Sequence, residues 1–272
     1  MVVLQPLPRR FVKQLLLVIS ELAYTYYNGE QWSWETSTPA PEQVQPGGFR
    51  YNPNMSFSIL FFDLDATLYS ASNGLWDQIR LRIYQYMREE LGIAEEIIPS
   101  TRDRYWKTYG TTLEGLRIHH QVDPDDYLAY VHNLPLDEYL QKDQDLRDLL
   151  SSLPQDLWVF TNSDRSHADR VLEKLGIADV FTGIVDLIAM DFVIKPNPEA
   201  YKIALAKAGG ADPEECVLFD DLEANLIGAK KLGFTTALVG DHGTTDQADY
   251  YLPTIHSIKD KMPQLWNGKI KG

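Results

Sequence analysis

Two aspartates two residues apart, Asp63 and Asp65, sit at the end of the run Ile59-Leu60-Phe61-Phe62-Asp63-Leu64-Asp65-Ala66-Thr67-Leu68-Tyr69. Four apolar residues in a row fit a strand buried on both faces of a parallel sheet. Residues i and i+2 of an extended chain point the same way. The spacing therefore predicts two carboxylates facing one space at the strand's carboxyl end, the edge where open α/β sheets bind ligands. Two such charges are unfavourable side by side unless a cation lies between them or one holds a proton. An aspartate ahead of a helix can also be a simple N-cap, so the pair acquires chemical meaning only through its company.

That company comes later in the chain. Phe160 is followed by Thr161-Asn162-Ser163-Asp164, Ile194 by Lys195-Pro196-Asn197-Pro198, and Phe219 by Asp220-Asp221. Parallel strands would bring these ends to one edge, beside Asp63 and Asp65. Each has a plainer reading. Asp164 fits a helix cap, and lysines such as Lys195 usually lie in solvent. Adjacent acids after an apolar strand must be solvated, paired or bound to metal. Taken together, the set suits phosphoryl transfer. Asp63, Asp65 and one of Asp220 or Asp221 supply the hard oxygen ligands that Mg²⁺ prefers. An aspartate can attack phosphorus, and a second acid can protonate the leaving oxygen and then activate water. Thr161, Lys195, backbone N–H groups and the metal would meet the charge on the equatorial oxygens.

The elements that must hold these groups read as alternating strands and helices. Apolar runs at Leu157–Phe160, Gly183–Ile188, Cys216–Phe219 and Thr235–Val239 predict strands, with a short edge at Tyr250–Leu252. Helices are expected at Arg165–Leu175, Pro198–Ala208 and Glu223–Leu232. Such alternation implies right-handed βαβ units and a parallel sheet. Between the first two strands the patterns are helical throughout. A stripe of Ile79, Ile83, Tyr86 and Met87 falls within Leu75–Leu91, and a second helix covers Arg102–Tyr109. Thr111 and Glu114 stand at capping-box spacing, and Asp123-Pro124 pairs a cap with proline at the first helical position. Residues 1–35 read as a helical segment with Arg9, Arg10 and Lys13 ahead of any acid, and residues 36–56 as a Pro-, Gly- and Gln-rich linker.

Composition narrows the partners. The formal net charge of −14 over 272 residues argues against nucleic-acid polymers, whose phosphates must be met by a basic surface. A single cysteine, Cys216, allows no internal disulfide, which suits a reducing compartment, cytoplasmic or nuclear. The basic N-terminal stretch leaves mitochondrial targeting open. No uncharged apolar run approaches the length of a membrane span.

These motifs (Asp63-Leu-Asp65-Ala-Thr67, Thr161-Asn162, Lys195-Pro196 and Asp220-Asp221) resemble those of the haloacid dehalogenase superfamily over residues 57 to about 255. The resemblance implies a Rossmann-like α/β core, residues 57–73 and 146–255, with a helical cap at 74–145 inserted after the first strand. Residues 256–272 are then a C-terminal tail. By motif, Asp63 is the nucleophile and Asp65 the general acid/base. Thr161, Asn162 and Lys195 hold phosphate, and Asp221 is a direct metal ligand with Asp220 beside it. Acid at position 65 is the mark of the phosphatases. Position 66 departs from the pattern, since Gly or Asn is usual where Ala66 stands. Leu68-Tyr69, Gly74-Leu75, Tyr109-Gly110-Thr111-Thr112-Leu113-Glu114-Gly115-Leu116 and Leu134-Pro135-Leu136 are similar to the fungal pyrimidine 5′-nucleotidase branch. That likeness implies UMP or CMP as substrate, with Tyr69, Tyr109, Thr111 and Thr112 near it. Sugar phosphates, phosphoglycolate and lysophosphatidate stay open as substrates, as does a binding protein on a retired scaffold.

Overall fold

The structure, a computed structural model, describes residues 56–241 and 246–267. The expected N-terminal helical segment and nearly all of the linker lie outside the described residues. Six strands make one parallel sheet in the order β3-β2-β1-β4-β5-β6. They are β1 (Ile59–Phe62), β2 (Asp156–Phe160), β3 (Gly183–Val185), β4 (Cys216–Asp220), β5 (Thr235–Val239) and β6 (Tyr250–Leu252). β1 lies in the middle, with Ile59 in register with Asp156 on one side and Cys216 on the other. Alternation sends Leu60 and Phe62 into the apolar cluster on one face, and Ile59 and Phe61 into the cluster on the other. Each such side chain contributes about 1.5–3 kcal/mol by leaving water, which explains an uninterrupted apolar run at the centre.

Five helices separate β1 from β2, the first four being α1 (Leu75–Glu89), α2 (Ile98–Tyr109), α3 (Thr112–His120) and α4 (Pro124–Val131). The Ile79, Ile83, Tyr86 and Met87 stripe of α1 is buried, with Tyr86 edge-on to Tyr127 of α4. Thr111 caps α3 by accepting from the Glu114 N–H, and Asp123 caps α4 at Asp125 and Asp126. α2 and α3 cross so closely that a Cβ on Gly115 would come within 2.3 Å of the Tyr105 ring. α2 starts four residues earlier than expected, because Pro99 occupies its first turn, where no N–H is needed.

The remaining helices are α5 (Gln144–Ser151), α6 (Arg165–Leu175), α7 (Pro198–Lys207), α8 (Glu223–Lys230) and the short α9 (Ile258–Lys261). α5, capped by Asp143, has no counterpart among the expected elements. β3 is shorter than expected. Asp186 turns the chain by accepting from Ile188 and Ala189 N–H, and the segment leading to Lys195 carries Asp191 and Phe192 in left-handed conformation. The C-terminal residues are more than a tail. Ile255, Ile258, Met262 and Leu265 are buried, and Gln155 donates to the Leu265 carbonyl. Among the described residues no helix is long and apolar enough to cross a membrane.

Candidate active site

The carboxyl ends of β1, β2 and β4 meet at one buried lysine. Lys195 Nζ donates to Asp63 Oδ1 at 2.9 Å, Asp220 Oδ2 at 2.6 Å and the Phe160 carbonyl at 2.7 Å. These acceptors arrive from three adjacent strands, so the ammonium ties the middle of the sheet's edge together. Its side chain is wholly buried. Burial would discharge it, but the carboxylates of Asp220 and Asp63 outweigh that and hold its pKa above the ordinary lysine value. Asn162 fixes the lysine's backbone. Its Oδ1 accepts from Lys195 N–H and its Nδ2 donates to the Lys195 carbonyl, at 3.0 and 3.1 Å. Asn162 thus acts on Lys195, and its amide is engaged there rather than pointing to open space. Thr161 is buried, its hydroxyl accepting from the Ser163 N–H.

One carboxylate oxygen from each of Asp63, Asp220 and Asp221 lies within 4.8 Å of the others. Burial pushes Asp63 up to about 7, with Lys195 opposing and Asp220 and Asp65 adding to the rise. Burial, then Asp63 and Asp220, push Asp221 up to about 8. Carboxylates so crowded are the donor set that a divalent cation relieves, and oxygen-only ligation suits a hard ion. Asn225, in the first turn of α8, donates to both oxygens of Asp220 and keeps it aimed at Lys195. Nothing in the spacing of Asn225 singled it out.

Asp65 stands apart from that cluster, contrary to its expected place among side-chain metal ligands. β1 ends at Phe62, so the two-residue rule of an extended strand no longer holds beyond it. Ala66 is left-handed, at φ 62°, and the turn carries the Asp65 carboxylate towards the end of β2. There it accepts from Tyr69 OH (2.6 Å), Ser163 Oγ (2.6 Å) and His167 Nε2 (2.8 Å). Burial raises the Asp65 carboxyl, but the His167 charge and the three hydrogen bonds prevail and hold it well below the usual range. Ser163 and His167 are contacts that the sequence reading missed.

The helical insertion reaches the same edge through the α2–α3 turn. A Cβ on Gly110 would stand 2.9 Å from the side chain of Ile194, the neighbour of Lys195. The Arg117 guanidinium lies over the Phe192 ring at 4.3 Å. Tyr109 OH shares a hydrogen bond with His119 Nε2, Thr112 is buried, and the Thr111 hydroxyl is engaged as a cap. Tyr69 is buried, with its hydroxyl on Asp65.

A family model described as haloacid dehalogenase-like hydrolase matches residues 57–233. Phosphate metabolism protein 8 of Saccharomyces cerevisiae is 30% identical over 237 residues, which cover 81% of this chain and 70% of the yeast protein. Pyrophosphatase PpaX of Halalkalibacterium halodurans is 25% identical over 76% of this chain and 97% of its own. Among solved structures, a phosphatase of the same fold from Thermococcus onnurineus superposes with a TM-score of 0.53 at 18% identity, covering 75% of this chain and 97% of its own. The magnesium-bound hydrolase YfnB of Bacillus subtilis gives 0.53 at 16%, covering 75% and 98%. The match spans β1 through α8 and takes in all of the clustered acids and Lys195, and the chain belongs to the haloacid dehalogenase-like hydrolases.

Proposed function

We propose that this chain is a Mg²⁺-dependent phosphomonoester hydrolase working through an aspartyl-phosphate on Asp63, with pyrimidine nucleoside 5′-monophosphates as substrates. One observation carries the reading: the Asp63 carboxylate lies beside a buried ammonium and two further aspartates. Lys195 orients Asp63 and neutralises part of the incoming phosphate charge. Asp63, Asp220 and Asp221 would hold the cation, which when bound offsets charge on the phosphoryl oxygens. Asp63 attacks phosphorus, and the ester oxygen leaves with a proton from Asp65. A phosphate dianion arriving beside Asp65 favours the protonated form that this step needs. Water then attacks the aspartyl-phosphate, gives its proton to Asp65, and releases inorganic phosphate with Asp63 restored. Deprotonated Asp65, the form its hydrogen bonds favour, is the one that this second half requires.

The nucleotide preference is supported by the α2–α3 turn, which abuts the segment running into Lys195 and brings Tyr109, His119 and Arg117 to that side of the insertion. Residues 74–145 then act as a cap, closing over the phosphate and presenting an aromatic face to the base. A screen of phosphate esters with and without EDTA tests the scheme. UMP and CMP should exceed AMP, GMP and ribose 5-phosphate in kcat/KM, EDTA should abolish turnover, and Asp63→Asn should be inactive. A sugar phosphate, lysophosphatidate or pyrophosphate outrunning every nucleotide would end the nucleotidase reading and leave the hydrolase. Turnover by pure Asp63→Asn would end both.

A further inference from the structure

The Asp65 carboxylate is gripped from three directions, and two of the donors come from the motifs themselves. Tyr69 lies four residues beyond Asp65, and Ser163 two beyond Thr161, so both travel with the ends of β1 and β2. His167 is different. It comes from the first turn of α6, its side chain is 0% exposed, and its ring hydrogen-bonds through Nε2 alone, since Nδ1 has no hydrogen-bond partner. An imidazole buried with one nitrogen unpaired is a poorer core residue than leucine would be. Stability therefore does not account for it.

A ring held through one nitrogen can still pivot about that bond. Here its plane is set from behind by His132, at the end of α4, stacked at 4.2 Å between centroids and 21° between planes. Asp164 serves both residues. One oxygen accepts from the His167 backbone N–H at 3.1 Å, and the other is hydrogen-bonded to His132 Nδ1. Arg170 of α6 donates to the carbonyls of His132 and Leu134, at 2.8 and 2.6 Å, so the chain leaving α4 is pinned to α6.

We propose that His167 is a positioning residue for the Asp65 carboxylate, kept in plane by its stack on His132, so that the exit of the helical insertion is tied to the acid/base group. The proposal rests on the phosphomonoester-hydrolase reading. His167 stands outside the three-carboxylate cluster and acts only through Asp65. Loss of its hydrogen bond leaves the carboxylate held only by two hydroxyls, Tyr69 on one oxygen and Ser163 on the other, and so less sharply aimed. Misplacing a proton-transfer group by about 1 Å can lower the rate on the order of 100-fold. Substrate affinity, set by Lys195 and the phosphate pocket, is untouched.

The test is steady-state and rapid-mixing kinetics of the full chain with Mg²⁺, on UMP and on p-nitrophenyl phosphate. His167→Leu should lower kcat on UMP at least tenfold, by the same reasoning about misplacement, with KM within roughly threefold. Nitrophenolate leaves without help from an acid while hydrolysis of the aspartyl-phosphate still needs a base. The variant should therefore release a burst of nitrophenolate close to one per active site before a slow steady state. His167→Gln, whose amide N–H can occupy the place of Nε2–H, should recover most of the rate. His132→Ala, which touches neither Asp65 nor substrate, should lower kcat at constant KM, and carries the test if His167→Leu does not fold. Wild-type kcat in folded His167→Leu overturns the proposal. So does a change confined to KM, a glutamine variant no better than the leucine one, or an unaltered kcat in His132→Ala when that variant carries the test. Wild-type protein inactive on every phosphoester, or active Asp63→Asn, would instead overturn the hydrolase reading on which it stands.

Discussion

Single residues carry most of the chemistry here, and their energetics can be tested apart from it. Lys195 is the shared counter-charge of two buried carboxylates, so Lys195→Met leaves Asp63 and Asp220 facing each other without one. Breaking one partner of a buried ionic group costs about 3–5 kcal/mol. Denaturant unfolding should show a loss of that order, and added Mg²⁺ should restore part of it; an unchanged midpoint would mean that the acids are neutral in the native protein. Ala66 makes the opposite case. A left-handed non-glycine residue costs about 1–2 kcal/mol, partly offset by the extra entropy glycine loses on folding. Ala66→Gly should leave the thermal midpoint level or a few degrees higher, and a fall would show that the methyl group packs usefully. The departure at position 66 was visible in the sequence, but the conformation that makes glycine or asparagine usual there appeared only in the backbone. Burial pushes the Cys216 thiol up to about 12. Native protein at pH 8 should therefore resist maleimide labelling, and it should react fully once unfolded.

At the scale of elements, glycine decides how closely two helices of the insertion approach. A Cβ at position 115 would overlap the Tyr105 ring, so Gly115→Ala must push α2 from α3. Overpacking of this kind typically costs 1–3 kcal/mol. Calorimetry should show that loss, and nucleotide turnover should suffer more than aryl phosphate turnover, because the α2–α3 turn belongs to the insertion while the groups that meet Lys195 stand at the ends of β1, β2 and β4. Strands and long helices were legible in the sequence where periodicity was strong, as in α1 and α6, or where a cap stood at the start, as at Thr111 and Asp123. α5, Gln144–Ser151, is as short as α4 and its cap Asp143 lacks the following proline that marks Asp123-Pro124. β3 stops at Val185 because Asp186 ends the strand within an otherwise apolar run, which the run itself does not mark. Asp63 and the Asp220-Asp221 pair follow from composition at strand ends, whereas Lys195 stands at none: β3 stops at Val185 and a loop returns the lysine to the edge. His167 and Asn225 do not, since a helix face near the site carries no local mark of what lies opposite.

For the whole molecule, the three-carboxylate cluster links folding to ion supply. A ligand that binds only the native state stabilises it by about 2.7 kcal/mol at a hundredfold excess over Kd. Thermal midpoints should rise with Mg²⁺ and fall back with EDTA, and the rise should vanish in Asp221→Asn. It should also shrink at acid pH. Asp63 and Asp221 are pushed up to about 7 and about 8, so protons compete with the cation increasingly as pH falls through that window. An Mg²⁺ shift equal at pH 6 and pH 8.5 would show that those carboxyls are not the ligands.

β1 sits at the centre of the sheet, yet both of its neighbours follow it in the chain, β2 after the whole helical insertion and β4 later still. During synthesis the segment Ile59–Phe62 leaves the ribosome with nothing to pair with for roughly ninety residues. At ordinary elongation speeds that is about 5–20 s. For that interval the most apolar strand of the protein is an open edge, the condition under which nascent chains stick to one another or recruit chaperones. Ribosome-bound chains halted near residue 150 should therefore hold on to a holdase, and those halted well beyond β4 should let it go.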